Sequence, residues 1–209
     1  MTTSRIAAIV FRFFFAALGL VAVGTQFGAV TLVKGHSIVN FFSYFTNLSN
    51  ILIAIVFIVS AVRLITRREV TTTDVAVRGG AVVYIVFVGL VFNTLLRDVE
   101  LGDLIPWVNL IVHFVIPIAG LVDWLIWPPR RTLPFRVTFA WMIFPAVYVA
   151  YSLIRGAAIG FYPYPFFNPG AVGGYGGVTL YCLVMLVGFF VLAVAVWALG
   201  NALQKRRTY

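Results

Sequence analysis

One cysteine, Cys182, and two histidines, His36 and His113, are all that 209 residues provide of those types. A single thiol excludes an internal disulfide and any cysteine metal cluster, and leaves Cys182 as a small packing residue. Acidic side chains are also scarce, six Asp and Glu against fifteen Lys and Arg. The serine-elbow GxSxG, the zinc signature HExxH and the phosphate-binding GxxxxGK-Ser/Thr are absent, so chemistries built on those motifs have no residues here. No required metal or organic cofactor is expected. With no low-complexity tail, no internal repeat and no polar segment long enough to fold by itself, residues 1–209 are read as one transmembrane domain.

What abounds is apolar: 62% hydrophobic residues and 10% charged, with a mean hydropathy of +1.05. These values lie outside the range of soluble globular domains and indicate an integral membrane protein. A helix needs about 20 apolar residues to cross the roughly 30 Å hydrocarbon core. Six such runs are predicted, near 5–30, 40–64, 79–97, 105–127, 134–156 and 175–203. They are too long and too continuously apolar for barrel strands, so the fold class is all-α, a polytopic bundle of six transmembrane helices. The first run follows Ser4-Arg5 like a secretory signal, but it continues past Val21 and contains Arg12, which marks a retained span.

A net charge of +9 suits nucleic acid in a soluble protein, so the placement of the cations decides its meaning. Arg5, the group Arg63, Arg67, Arg68 and Arg78, the group Arg130, Arg131 and Arg136, and Lys205, Arg206 and Arg207 fall at alternate span ends. The opposite ends hold only Lys34, Arg97 and Arg155, beside Asp98, Glu100 and Asp103. That bias orients both termini into the cytoplasm. The excess is topological and suited to anionic membrane lipid, with no nucleic-acid partner. Trp107, Trp127, Tyr162, Tyr164 and Tyr175 lie near predicted helix ends and are read as interfacial anchors. The connection at 156–177, rich in Gly, Pro and aromatics, is read as an irregular cap on the membrane surface.

Polar residues inside the spans carry the functional signal, because an unpartnered hydroxyl, amide or imidazole in hydrocarbon costs several kcal/mol. Ser43, Thr46, Asn47 and Asn50 recur on one face of the second helix, and Asn109, His113, Pro117 and Gly120 on one face of the fourth. At 1.5 Å per residue, Thr46 falls about 9 Å and His113 about 12 Å below the outer boundary, so the stripes are able to face each other. Asn93, Thr94, Tyr148, Tyr151, Ser152, Arg155, Thr179 and Tyr181 lie in the same outer half, and the inner halves are poorer in such groups. A polar chamber open to the outer leaflet is expected. Each such residue has a plainer reading as an interhelical hydrogen-bonding group.

Together, Thr46 and His113 are able to perform nucleophilic acyl transfer, with the imidazole removing the hydroxyl proton as it attacks a carbonyl. The amides of Asn47 and Asn50 are candidates to stabilise the oxyanion, and Asn109, one turn before His113, to orient its ring. Asp123, about 15 Å further along the helix, is a poor third member. Arg155 is a candidate for a substrate carboxylate or an interfacial snorkelling residue. Tyr151 completes the candidate substrate-binding set.

The segments FFSYFTNLSN around Thr46, Pro106-Trp107-Val108-Asn109 followed by His113 and Pro117, and Tyr164-Pro165-Phe166 resemble the FAR-17a-like family, the six-helix androgen-induced and androgen-dependent TFPI-regulating membrane proteins, which has bacterial members. The resemblance spans most of the chain. It implies an intramembrane threonine hydrolase of lipid metabolism in a bacterial cytoplasmic membrane, with Thr46 as nucleophile and His113 as catalytic base. The implied substrates are ester lipids such as fatty acid esters of hydroxy fatty acids. The competing classes are a non-enzymatic lipid or small-molecule transporter, favoured by a polar path through the bundle, and a structural membrane partner. Haem held by His36 and His113 is a weaker reading, since one lies in a connection and the other within a helix.

Overall fold

A computed structural model describes residues 3–99 and 103–206; Glu100 and Arg207, both used in the charge reading, lie outside the described residues. The described residues are helical with no strand, and six helices are long and apolar enough to cross a membrane. They are α1 (Thr3–Val33), α3 (Phe45–Ile65), α4 (Thr72–Leu96), α5 (Pro106–Ile126), α6 (Val137–Ile159) and α7 (Tyr175–Arg206). A short α2 (Ile38–Phe42) precedes α3.

Two boundaries differ from the sequence expectation by five residues or more, and each changes the surroundings of a polar residue. The second span does not run unbroken from residue 40, because Tyr44 turns to extended backbone (φ −82°, ψ 124°) and restarts the chain as α3 at Phe45. Thr46 therefore sits in the first turn of a helix, where backbone N–H groups lack intrahelical acceptors. The third span begins at Thr72 instead of 79, where Thr71 and Asp74 form a reciprocal capping box. That earlier start carries Arg78 into the bundle.

Without a hydrophobic force between helices in lipid, close packing and hydrogen bonds must hold the bundle together. α4 is the most buried span and α7 the least; α4 packs on α3, α5 and α7, while α1 packs on α3 and α5. Glycines let α4 and α5 approach: a Cβ at Gly89 would stand 2.9 Å from Pro117 Cβ, and one at Gly120 2.9 Å from Ile85 Cγ2. Tryptophan N–H groups tie the other helices, Trp141 to the Ala76 carbonyl at 2.8 Å and Trp124 to the Val196 carbonyl at 3.0 Å.

Three charges, the buried Arg12 and Asp123 and the part-buried Arg78, lock α1, α4 and α5 at the Arg-rich end. Asp123, fully buried, accepts from Arg12 Nε at 2.7 Å and Arg78 Nε at 2.9 Å, and Arg78 also donates to the Asp123 and Trp127 carbonyls at 2.7 Å each. Arg78 is thus an internal ion-pair partner, not a loop cation. The Arg-rich half of the bundle, expected to be poor in polar groups, thus holds an internal ion-pair network.

Candidate functional site

His113 is presented by a widened turn. Pro117 has no N–H to donate to the His113 carbonyl, and residues 111–115 relax into a π-helical turn in which the Ile116 N–H reaches the Ile111 carbonyl. The imidazole is buried and stacks on Phe92, with ring centroids 3.8 Å apart and planes 16° off parallel. Its Nδ1 lies 2.6 Å from Asn109 Oδ1. An amide oxygen only accepts, so Nδ1 carries the proton and Nε2 presents a lone pair.

That lone pair faces Thr46. Oγ1 lies 3.4 Å from His113 Nε2, at the long end of hydrogen bonding, and 3.1 Å from Tyr164 Oη. The Thr46 N–H, one of the orphan donors of α3, donates to Tyr164 Oη at 3.2 Å. One arrangement of hydrogens satisfies the whole chain of partners: Thr46 N–H to Tyr164 Oη, Tyr164 O–H to Thr46 Oγ1, Thr46 O–H to His113 Nε2, and His113 Nδ1–H to Asn109 Oδ1.

Tyr164 is a buried wall residue here, not an interfacial anchor. The middle of the connection that carries it does not rest on the surface as a cap: Tyr164, Phe166 and Phe167 are 7%, 5% and 2% exposed and pack into the core around a 3₁₀ turn at Pro165–Phe167, while residues 157–160 and 170–171 on its flanks are exposed. Gly156 makes this possible, since the Tyr162 ring lies where a side chain at 156 would stand. Burial pushes the Tyr164 phenol up to about 12, which keeps it a proton donor at neutral pH. The sequence signal was available in Pro163 and Pro165, which stiffen the backbone on both sides of one hydroxyl.

Thr46, His113 and Tyr164 form a wall common to two cavities. One, of about 320 Å³, is apolar and is lined by Phe87, Val91, Phe166, Met185 and Phe189 among others. The second, of about 460 Å³, is the more polar of the two: Gln26, His36, Ser37, Asn40 and Asp103 line it together with apolar residues such as Val23, Phe41, Val108 and Phe161. At its mouth Lys34 Nζ lies 2.5 Å from Asp103, and this hydrogen bond holds the carboxyl below its usual range. Gln26 braces the same loop, donating to the Asp103 carbonyl at 2.7 Å and accepting from the Ile105 N–H at 3.1 Å.

The remaining candidates divide. Asn47 lines the polar cavity, but its Nδ2 donates to the Phe41 carbonyl at 2.8 Å and fixes the α2–α3 corner. Asn50 spends its amide on the Thr46 carbonyl at 2.9 Å and the Val112 carbonyl at 3.3 Å, stapling α3 to the π turn, so it is not aimed at a cavity. Tyr151 lines neither cavity; its hydroxyl pairs with Ser43 Oγ at 2.8 Å. Arg155 also lines neither, yet it donates to Asn40 Oδ1 at 2.7 Å and lies over the Phe161 ring at 4.8 Å, and both those neighbours line the polar cavity. Asp123 belongs to the Arg12–Arg78 network. His36, the other histidine of the haem reading, lies 3.8 Å from Asp103. Among the described residues, no three His, Cys, Asp or Glu side chains gather as a metal site.

Comparison of the chain with protein-family models, with curated proteins and with solved structures found no match.

Proposed function

We propose that this chain is an intramembrane hydrolase of ester lipids, with Thr46 as nucleophile and His113 as general base and acid. The carrying observation is that the Thr46–His113 pair, 3.4 Å apart and buried, lines both an apolar cavity and a second, more polar one that holds Gln26, His36, Asn40 and Asp103. An ester lipid has the matching shape, with an acyl chain for the apolar side, a carbonyl at the wall, and a polar product and water on the other side.

In the first half-reaction Thr46 Oγ1 attacks the ester carbonyl carbon while its proton passes to His113 Nε2. The carbonyl becomes an oxyanion, for which Tyr164 O–H and the N-terminus of α3 are the nearest donor and dipole, in place of the already engaged amide of Asn50. Collapse breaks the ester C–O bond, and the leaving alkoxide takes the proton from His113. In the second, a water from the polar cavity gives its proton to Nε2 and attacks the acyl carbon. The acid is released and the proton returns to Thr46. Asn109 holds the ring in the required tautomer throughout. Arg155, beside Asn40, would draw the carboxylate of a fatty acid ester of a hydroxy fatty acid to this side. With the Arg-rich end in the cytoplasm, the polar cavity faces the outer side of a bacterial cytoplasmic membrane. This function and topology are those that the resemblance to the FAR-17a-like family implies.

A transporter using the same chamber needs a polar path onward. The buried face of α3 between Asn50 and Ser60 is instead Ile53, Ala54, Val56 and Phe57, and that of α5 between His113 and Asp123 is Ile116, Pro117, Ala119 and Gly120. The deciding experiment offers a panel of ester lipids to purified wild type, Thr46→Val and His113→Ala, with mass spectrometry for an acyl group on Thr46. Turnover and acylation in wild type alone are expected. Equal turnover by all three folded proteins ends this reading.

A further inference from the structure

At the opposite end of the bundle a separate cavity of about 140 Å³ opens between the ends of α1, α3 and α4 and the α5–α6 connection. Arg5, Arg12, Arg63, Arg78 and Arg130 line it, and Asp74 is the carboxylate that lines it with them. Asp123 stands behind Arg12 and Arg78, and Asp74 is taken by Arg63 Nη1 at 2.7 Å. Five guanidinium groups therefore meet two carboxylates, an excess of three positive charges. Arg5 donates from Nη2 to the Leu64 carbonyl, while its Nε is buried with no partner. Membrane topology needs cations in water at the span ends; it does not need five of them converging on one recess, where Arg12 and Arg78 are largely withdrawn from water and repulsion is less well screened.

We infer that this cavity binds a phosphate group. Guanidinium forks match phosphate oxygens in pairs, and a phosphomonoester brings about two negative charges, close to the excess present. The volume of about 140 Å³, several times the roughly 30 Å³ share of one water, admits such a group. Arg12, about 10 Å further along α1 than Arg5, is the buried side of the recess, and Arg5, Arg63 and Arg130 stand at the ends of the spans. The phosphate comes either from a lipid of the adjoining leaflet or from solution. The site shares no residue with the Thr46 wall, so it stands whatever that wall does.

The test titrates dioleoyl phosphatidic acid, and dioleoyl phosphatidylcholine as control, onto the purified full-length protein in uncharged detergent, reading bound lipid by native mass spectrometry. Wild type is expected to prefer phosphatidic acid. The Arg5→Gln/Arg130→Gln double variant should lose about fivefold in that affinity for each guanidinium removed. Arg5→Lys/Arg130→Lys, which retains both charges, should keep most of it, and Arg68→Gln/Lys205→Gln, at exposed positions outside the cavity, should change nothing. If the first double variant does not fold, Arg130→Gln alone at its exposed site gives the same reading. Displacement of the lipid by millimolar inorganic phosphate assigns the site to soluble phosphate, and resistance to displacement assigns it to the lipid. Unchanged binding in the cavity variants, or an equal loss in the surface pair, overturns the inference.

Discussion

Replacing Tyr164 by Phe removes one oxygen and leaves the ring, so the stack on Phe166 (centroids 5.1 Å, 18°) and the edge contact with Tyr44 (5.7 Å) survive. Two hydrogen-bond partners lose Oη: the Thr46 N–H at 3.2 Å and Thr46 Oγ1 at 3.1 Å. If the hydroxyl only caps α3, the cost is that of one buried donor left without an acceptor, about 1–3 kcal/mol of stability, with kcat per folded molecule unchanged. If it also donates to the developing oxyanion, kcat falls by about 10²–10³, the usual effect of deleting one such donor. The second effect is expected, with KM little altered because the ground-state ester makes no comparable demand on the donor. Thermal unfolding and ester turnover measured on the same preparation separate the two. As an internal control, Tyr151→Phe removes a hydroxyl that pairs with Ser43 Oγ at 2.8 Å away from both cavities and should lower Tm without the kcat loss. A folded Tyr164→Phe protein within about threefold of wild-type kcat refutes the role assigned to this hydroxyl.

Asp123→Asn leaves Arg12 and Arg78 without their shared counter-charge and should destabilise the protein by about 3–5 kcal/mol, seen as a lower Tm, while the surviving folded fraction keeps its turnover. Gly156→Ala sets a methyl group against the Tyr162 ring and displaces the segment that delivers Tyr164; a loss of about 1–3 kcal/mol together with reduced turnover is expected, and unchanged values of both would deny this glycine any part in placing Tyr164. Stability should fall between pH 10 and 12. Below that window the Tyr164 phenol is protonated in both states, and within it only the unfolded chain ionises, a difference of about 3 kcal/mol. Tm followed across the window should decline less steeply in Tyr164→Phe, and identical slopes would place the alkaline sensitivity elsewhere.

The helices were legible because hydropathy over about 20 residues is a local property, and their apolar runs survive errors of several residues at each end. The errors fell where a local signal had a second meaning. Tyr44 broke a run that hydropathy alone joined, and the Thr71–Asp74 box started α4 a full two turns before its apolar stretch. Tyr164 read as an amphipathic ring near a helix end, a description that fits a surface anchor and a buried donor equally. Arg78 read as one more loop cation because its partner Asp123 is 45 residues away.

The amino-acid order alone determined a bundle of membrane-length helices and two polar stripes, with Thr46 on one and His113 on the other, because helical periodicity fixes which residues share a face. Tertiary structure decided what the stripes meet. The Pro117 π turn and the α3 restart set His113 and Thr46 3.4 Å apart, and a connection 118 residues beyond Thr46 brought Tyr164 to the same atom. Packing also gathered Arg5, Arg12, Arg63, Arg78 and Arg130 from four separate segments around one cavity. Such convergences depend on how helices rotate and cross in contact, and no window along the chain contains that information.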